Sequence, residues 1–129
     1  VNKLIEMREI TDITKEESIA TFIAGIVRSV RFGFASSHGK ANMMCYNYMA
    51  ENGAFTRNEK GQYVVDFEKA PAVIDSWAEL IIRTQATGDL EFAQQYSAKN
   101  ADITPALEND IKKVNEAGIP RDIVFDWAW

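Results

Sequence analysis

The chain has 129 residues, 47% apolar and 26% charged, which suits one folded domain with a real core and excludes a disordered polymer. Its 19 Asp and Glu outweigh 14 Lys and Arg for a net charge of −5, and the scattered cations show no basic face for DNA or RNA. No apolar run approaches the ~18–20 residues of a membrane helix; the single Cys excludes an internal disulfide framework and agrees with a reducing, cytoplasmic setting as the expectation.

The chain opens on VNKLI, already amphipathic and without Met, so a fragment of a longer protein is the expectation. Leu4, Ile5 and Met7 predict a short helix within Val1 to Ile10. Thr14 with Glu17 forms a capping-box pattern, hydroxyl and carboxylate each satisfying a free amide at a helix start. Behind it Ile19, Phe22, Ile23, Ile26, Val27 and Val30 recur with the 3.6-residue period of a strongly buried helix. Gly33 marks a break, and a second long helix is expected from about Ala35 to Asn52, stopped by Gly53. Phe55 to Arg57 and Tyr63 to Val65 read as strands around the turn Asn58-Glu59-Lys60-Gly61. Helix returns near Glu68, with Pro71 in its first turn and Val73, Ile74, Trp77, Leu80 and Ile81 as its stripe. Thr87-Gly88-Asp89 closes that helix and caps another, Leu90 to about Lys99. Thr104-Pro105 opens a last one, with Leu107, Ile111 and Val114 on its face up to Gly118. The expected fold is mainly α: a single helical domain over 1–129, bundle-like, with one small hairpin at about 55–66. An aromatic tail, Phe125, Trp127 and Trp129, follows.

One histidine and one cysteine, His38 and Cys45, leave no route to a zinc site built from this chain, because a catalytic zinc needs three protein ligands. On a helix the two lie two turns and roughly 10 Å apart, too far to share an ion or to form a nucleophile–base pair. Paired acids such as Glu16-Glu17 sit at helix starts, where the helix dipole favours negative charge. His38 lies in a run of small residues (Ala35, Ser36, Ser37, Gly39, Ala41) that lets another chain or a ligand come close to the backbone. A lone helical histidine is more often a packing or surface residue. Against that stands a face on which Ala41, Asn42 and Cys45 follow His38, an imidazole and a carboxamide one turn apart, able to bind a peptide group.

The stretch RSVRFGFASSHGKANMMCYNYMAENGAF resembles a region of the dipeptidyl peptidase III-type zinc metallopeptidases, bacterial and plant branch, in which a His opens a helix of the form His-x-x-x-[Asn or Arg]. The later AELIIRTQATGDLEFAQQYSAKNADI is similar to the same family's helix, Thr-Gly-Asp, helix continuation. Together they cover most of residues 28 to 118. The resemblance implies a two-lobed enzyme whose helical lobe holds zinc through two His of a His-Glu-x-x-Gly-His-like motif and a downstream Glu. Neither motif is present, so the chain is expected to be the C-terminal portion of that lobe: no metal ligand of its own, zinc in the full-length parent, and no activity alone. It implies for His38 a catalytic hydrogen bond to the peptide carbonyl or oxyanion, and for Asn42 a substrate-binding role. Where the animal enzymes carry Arg one turn after that His, this chain has Asn42. Some relatives are fused to nudix-type domains. Expected partners are a peptide substrate of the parent, neither nucleic acid nor membrane, and a second copy of the fragment through apolar surface left uncovered. The rival expectation is a non-catalytic interaction domain that docks a protein through the His38 strip and the aromatic tail.

Overall fold

The computed structural model describes residues 1–121. Within them six helices and one hairpin follow in the order α1 (Asn2–Glu6), α2 (Lys15–Val30), α3 (Ser37–Glu51), β1 (Phe55–Arg57), β2 (Tyr63–Val65), α4 (Ala70–Thr87), α5 (Leu90–Asn100) and α6 (Pro105–Glu116). The fold is mainly α, as expected. The tail with Phe125, Trp127 and Trp129 lies outside the described residues.

Local chemistry sets most of the boundaries. At α2 the Thr14 side chain accepts from the Glu17 amide while the Glu17 carboxylate accepts from the Thr14 amide at 2.8 Å, a complete capping box. The Asp89 and Thr104 side chains accept from Phe92 and Leu107 amides and start α5 and α6. Gly88, left-handed at φ 65°, ends α4. The helix expected from Ala35 begins instead at Ser37, because the Ser36 side chain caps it through the Gly39 amide. β1 and β2 pair antiparallel in the register Phe55–Val65, Thr56–Val64, Arg57–Tyr63, with Gly61 at φ 74° in the turn.

α3 is the central element. Met43, Cys45, Tyr46, Asn47 and Met49 are all buried along it, and α2, α4, α5 and β1 each pack on it. Met43 and Met49 are 0% exposed and meet a core that includes Ile19, Ile23, Ile26 and Val30 of α2, Phe55, Val73 and Leu107. Two expected stripe residues depart from the pattern: Phe22 and Ile81 are each 39% exposed. Both sit at the margin of an apolar stripe wider than the surface that covers it.

The six-residue join between α2 and α3 folds back on the first turn of α3. A Cβ on Gly39 would stand 2.7 Å from the Phe34 Cα and closer still to the Gly33 carbonyl oxygen. Part of the small-residue run around His38 therefore serves the chain's own backbone. Gly39→Ala should destabilise by about 1–3 kcal/mol, since the obstructing atoms are backbone and cannot swing away. Gly25→Ala, in the interior of α2 with nothing within 4 Å of the added methyl, should stabilise by roughly 0.5–1 kcal/mol. Urea unfolding of the pair tests the contact, and equal effects of one sign would contradict it.

Candidate functional site

The first turn of α3 is built from its cap. Ser36 Oγ accepts from the Gly39 amide at 3.1 Å and the Ser36 carbonyl accepts from the Lys40 amide, so His38 is the second residue of the helix. Its side chain is exposed, with no hydrogen-bond or ion-pair partner among the described residues. His38 is therefore not a core histidine. Asn42 follows one turn later and is half-buried, while Ala41 beside it is exposed. The strip ends there, because Cys45 on the same face is already in the core. Burial pushes the Cys45 thiol up to about 11, which keeps it protonated and removes it as a nucleophile at ordinary pH.

A second polar group lies under the hairpin. Arg57 Nη2 donates to Asp110 Oδ1 at 2.7 Å and to the Gly61 carbonyl. The Tyr63 hydroxyl donates to Asp110 Oδ2 at 2.9 Å and shares a 3.1 Å hydrogen bond with the Tyr46 hydroxyl. Burial, then the bonds to Tyr46 and Asp110, push the Tyr63 phenol well up, and burial also raises Tyr46. With its charge met by Arg57 and each oxygen already accepting a hydrogen bond, Asp110 is a tie between hairpin and α6. Beside it runs a cleft of about 390 Å³ with mostly apolar walls from α2, β2 and α6, which neither His38 nor Asn42 lines.

Two ties were not legible in the sequence. Asn47, 8% exposed, donates through Nδ2 to the Asn100 and Asp102 carbonyls, each at 2.9 Å, and so fastens the α5–α6 join to α3. Arg31 donates to Asn115 Oδ1, the Ile119 carbonyl and the Pro120 carbonyl, drawing the end of α6 to the end of α2. Partners 53 to 89 positions away leave no local signal.

Among the described residues no three His, Cys, Asp or Glu side chains come together in a metal-binding group. With His38 exposed and Cys45 buried two turns on, these residues do not fit a zinc site. No helix among them is long and apolar enough to cross a membrane.

Comparison with solved structures decides the relationship. Dipeptidyl-peptidase III from Corallococcus sp. strain EGB superposes with a TM-score of 0.87 at 27% identity, over 95% of this chain and 22% of that one. The chain is related to dipeptidyl-peptidase III. The protein of that name from Caldithrix abyssi agrees, at TM-score 0.84 and 28% identity over 93% of this chain and 23% of its own. Nudix hydrolase 3 of Arabidopsis thaliana is 33% identical over 108 residues, 84% of this chain but 14% of that protein. The chain thus spans less than a quarter of each relative. No protein-family model matches the chain.

The buried thiol generates a pH prediction. Unfolding returns Cys45 from about 11 to its ordinary 9.0, so between those values the unfolded chain binds fewer protons than the folded one. Stability should hold below pH 9 and fall as pH rises toward about 11, with the raised tyrosines adding to the decline. Cys45→Ala should make the first part of that fall shallower. Urea midpoints unchanged through pH 11 would contradict the assignment.

Proposed function

We propose that this chain is part of the zinc-bearing lobe of a dipeptidyl-peptidase III-type peptidase, lying after the metal ligands, and that His38 is its catalytic donor. The observation that carries the reading is the match to two dipeptidyl-peptidase III chains over nearly the whole of this one. The exposed imidazole, without a partner among the described residues, supports it from the site.

In this reading zinc is held by residues beyond this chain and supplies Lewis-acid chemistry there. His38 donates an N–H to the carbonyl oxygen of the bound peptide. The bond strengthens as that oxygen gains negative charge in the tetrahedral adduct, so it contributes more in the transition state than in the substrate complex. Its place on a helix anchored by Met43 and Met49 in the core fixes the backbone from which the donor reaches the peptide. Asn42 offers a carboxamide one turn on, able to hold the same peptide by a neutral hydrogen bond. It lacks the charge of an Arg at that position, which weakens any preference for releasing dipeptides more than it weakens hydrolysis.

In the intact peptidase, His38→Ala should lower kcat by about 10²–10³ with a much smaller change in KM, as for loss of one oxyanion donor. His38→Gln should recover part of the rate through its amide N–H. Melting curves run beside the kinetics separate this from a packing role: a destabilised but kinetically normal variant would overturn the reading. The 129-residue chain by itself should cleave no peptide and hold no stoichiometric zinc. One tightly bound equivalent by metal analysis would place the ligands within this chain and contradict the arrangement.

A further inference from the structure

Residues 18 to 50 contain no Asp and no Glu, although the whole chain has 19 acids and a net charge of −5. The same stretch carries Arg28, Arg31, Lys40 and His38, and the fold brings Arg121 to it from the far end of the described chain. The Arg28 guanidinium lies over the Phe32 ring at 5.3 Å and the Arg121 guanidinium over the same ring at 5.7 Å. Arg121 also comes within 3.9 Å of where a Cβ on Gly33 would stand, and Gly33 is the residue pressed against Gly39, between His38 and Lys40. Arg28, Phe32, His38, Lys40 and Arg121 are all exposed.

These cations differ from most others in the molecule. Six lysines and arginines elsewhere pair with a carboxylate within 4 Å: Lys3, Lys15, Arg57, Lys69, Arg83 and Lys112. Among the described residues Arg28, Arg31, Lys40 and Arg121 meet no carboxylate. Arg31 donates from Nη1 and Nη2 to two carbonyls and a carboxamide, neutral acceptors that leave its positive charge uncancelled. Two guanidiniums drawn to one ring concentrate positive charge there, which favours an anion close by.

We propose that the α2–α3 turn, where Arg28 and Arg121 share the Phe32 ring and Arg121 reaches the Gly33–Gly39 contact next to His38, is a recognition surface for a carboxylate carried by a peptide. The inference rests on reading His38 as substrate-facing and adds the class of substrate group held next to it. Guanidinium matches carboxylate in a planar two-point geometry, and for a peptide-cleaving parent the carboxylate at hand is the peptide's own. That carboxylate has two sources, an acidic side chain or a free C-terminus. A peptide anchored here is held by charge at the turn and presents its backbone to the imidazole.

The single histidine makes the test direct, because the imidazole NMR signal of the 129-residue chain reports on one site. Three peptides are titrated: a glutamate-containing hexapeptide blocked at both ends, a hexapeptide of neutral side chains with a blocked N-terminus and a free C-terminus, and that neutral peptide blocked at both ends. At least one of the first two should shift the His38 signal, and which does so identifies the source. The blocked uncharged peptide should not shift it. Binding should weaken several-fold between about 50 and 500 mM salt, as screening of exposed charges requires. The Arg28→Gln/Arg121→Gln variant should lose at least about fivefold in affinity with little change in melting temperature, since both side chains are exposed and meet no carboxylate among the described residues. Equal shifts from all three peptides, salt-independent binding, or no shift at about 10 mM peptide, an affinity below ordinary recognition, would overturn the proposal. The titration needs no catalysis. Salt-sensitive carboxylate binding alongside a kinetically normal His38→Ala peptidase would sink the catalytic role and leave the surface standing.

Discussion

The backbone of Gly33 and Phe34 lies directly on the Cα of Gly39, and the placement of the α2–α3 turn depends on that contact. It permits the chain to leave α2, reverse within six residues and enter α3 with its hydrophobic side already against Ile19, Ile23, Ile26 and Val30. α3 then serves as the post on which α4, α5 and β1 are packed. The same contact pins the first turn of α3 at the surface while the rest of the helix runs into the core. His38 is exposed for that reason and yet stands on one of the most constrained helices of the molecule. A rigid helix fixes the backbone from which the imidazole reaches outward.

Long-range polar ties complete the frame. Asn47 fastens the α5–α6 join to α3, and Asp110 collects Arg57 and Tyr63 so that the hairpin and α6 move together. A two-stranded hairpin is marginal alone and needs such support. Here it comes from Phe55 packed on Tyr46, ring centroids 5.3 Å apart, and from the carboxylate of Asp110.

Features written in neighbouring residues were legible in the sequence. Thr14 with Glu17, Gly88 with Asp89, and Thr104 with Pro105 each act within four positions, and the structure places a helix boundary at every one. The strands fell where Phe55–Arg57 and Tyr63–Val65 were read because alternation and the Gly61 turn are equally local. What escaped is what tertiary contacts decide. Phe22 and Ile81 continue apolar stripes beyond the surface available to cover them. Ser36 went unread as a cap because it sits among other small residues. The scattered cations concealed the gathering at the turn, since Arg121 reaches Phe32 from 89 positions along the chain. For the site, residue chemistry led to an imidazole and a carboxamide one turn apart on α3, and the resemblance supplied the role now proposed for them.

The central claim is that His38 faces a peptide in an enzyme whose metal is held elsewhere. The most direct measurement is a crystal structure of the intact peptidase that carries this segment, with an uncleaved peptide bound. An imidazole nitrogen of His38 should lie within about 2.7–3.2 Å of a peptide carbonyl oxygen, the range of a direct N–H to O bond. A bound peptide that leaves His38 untouched, its imidazole instead hydrogen-bonded within the protein, would contradict it.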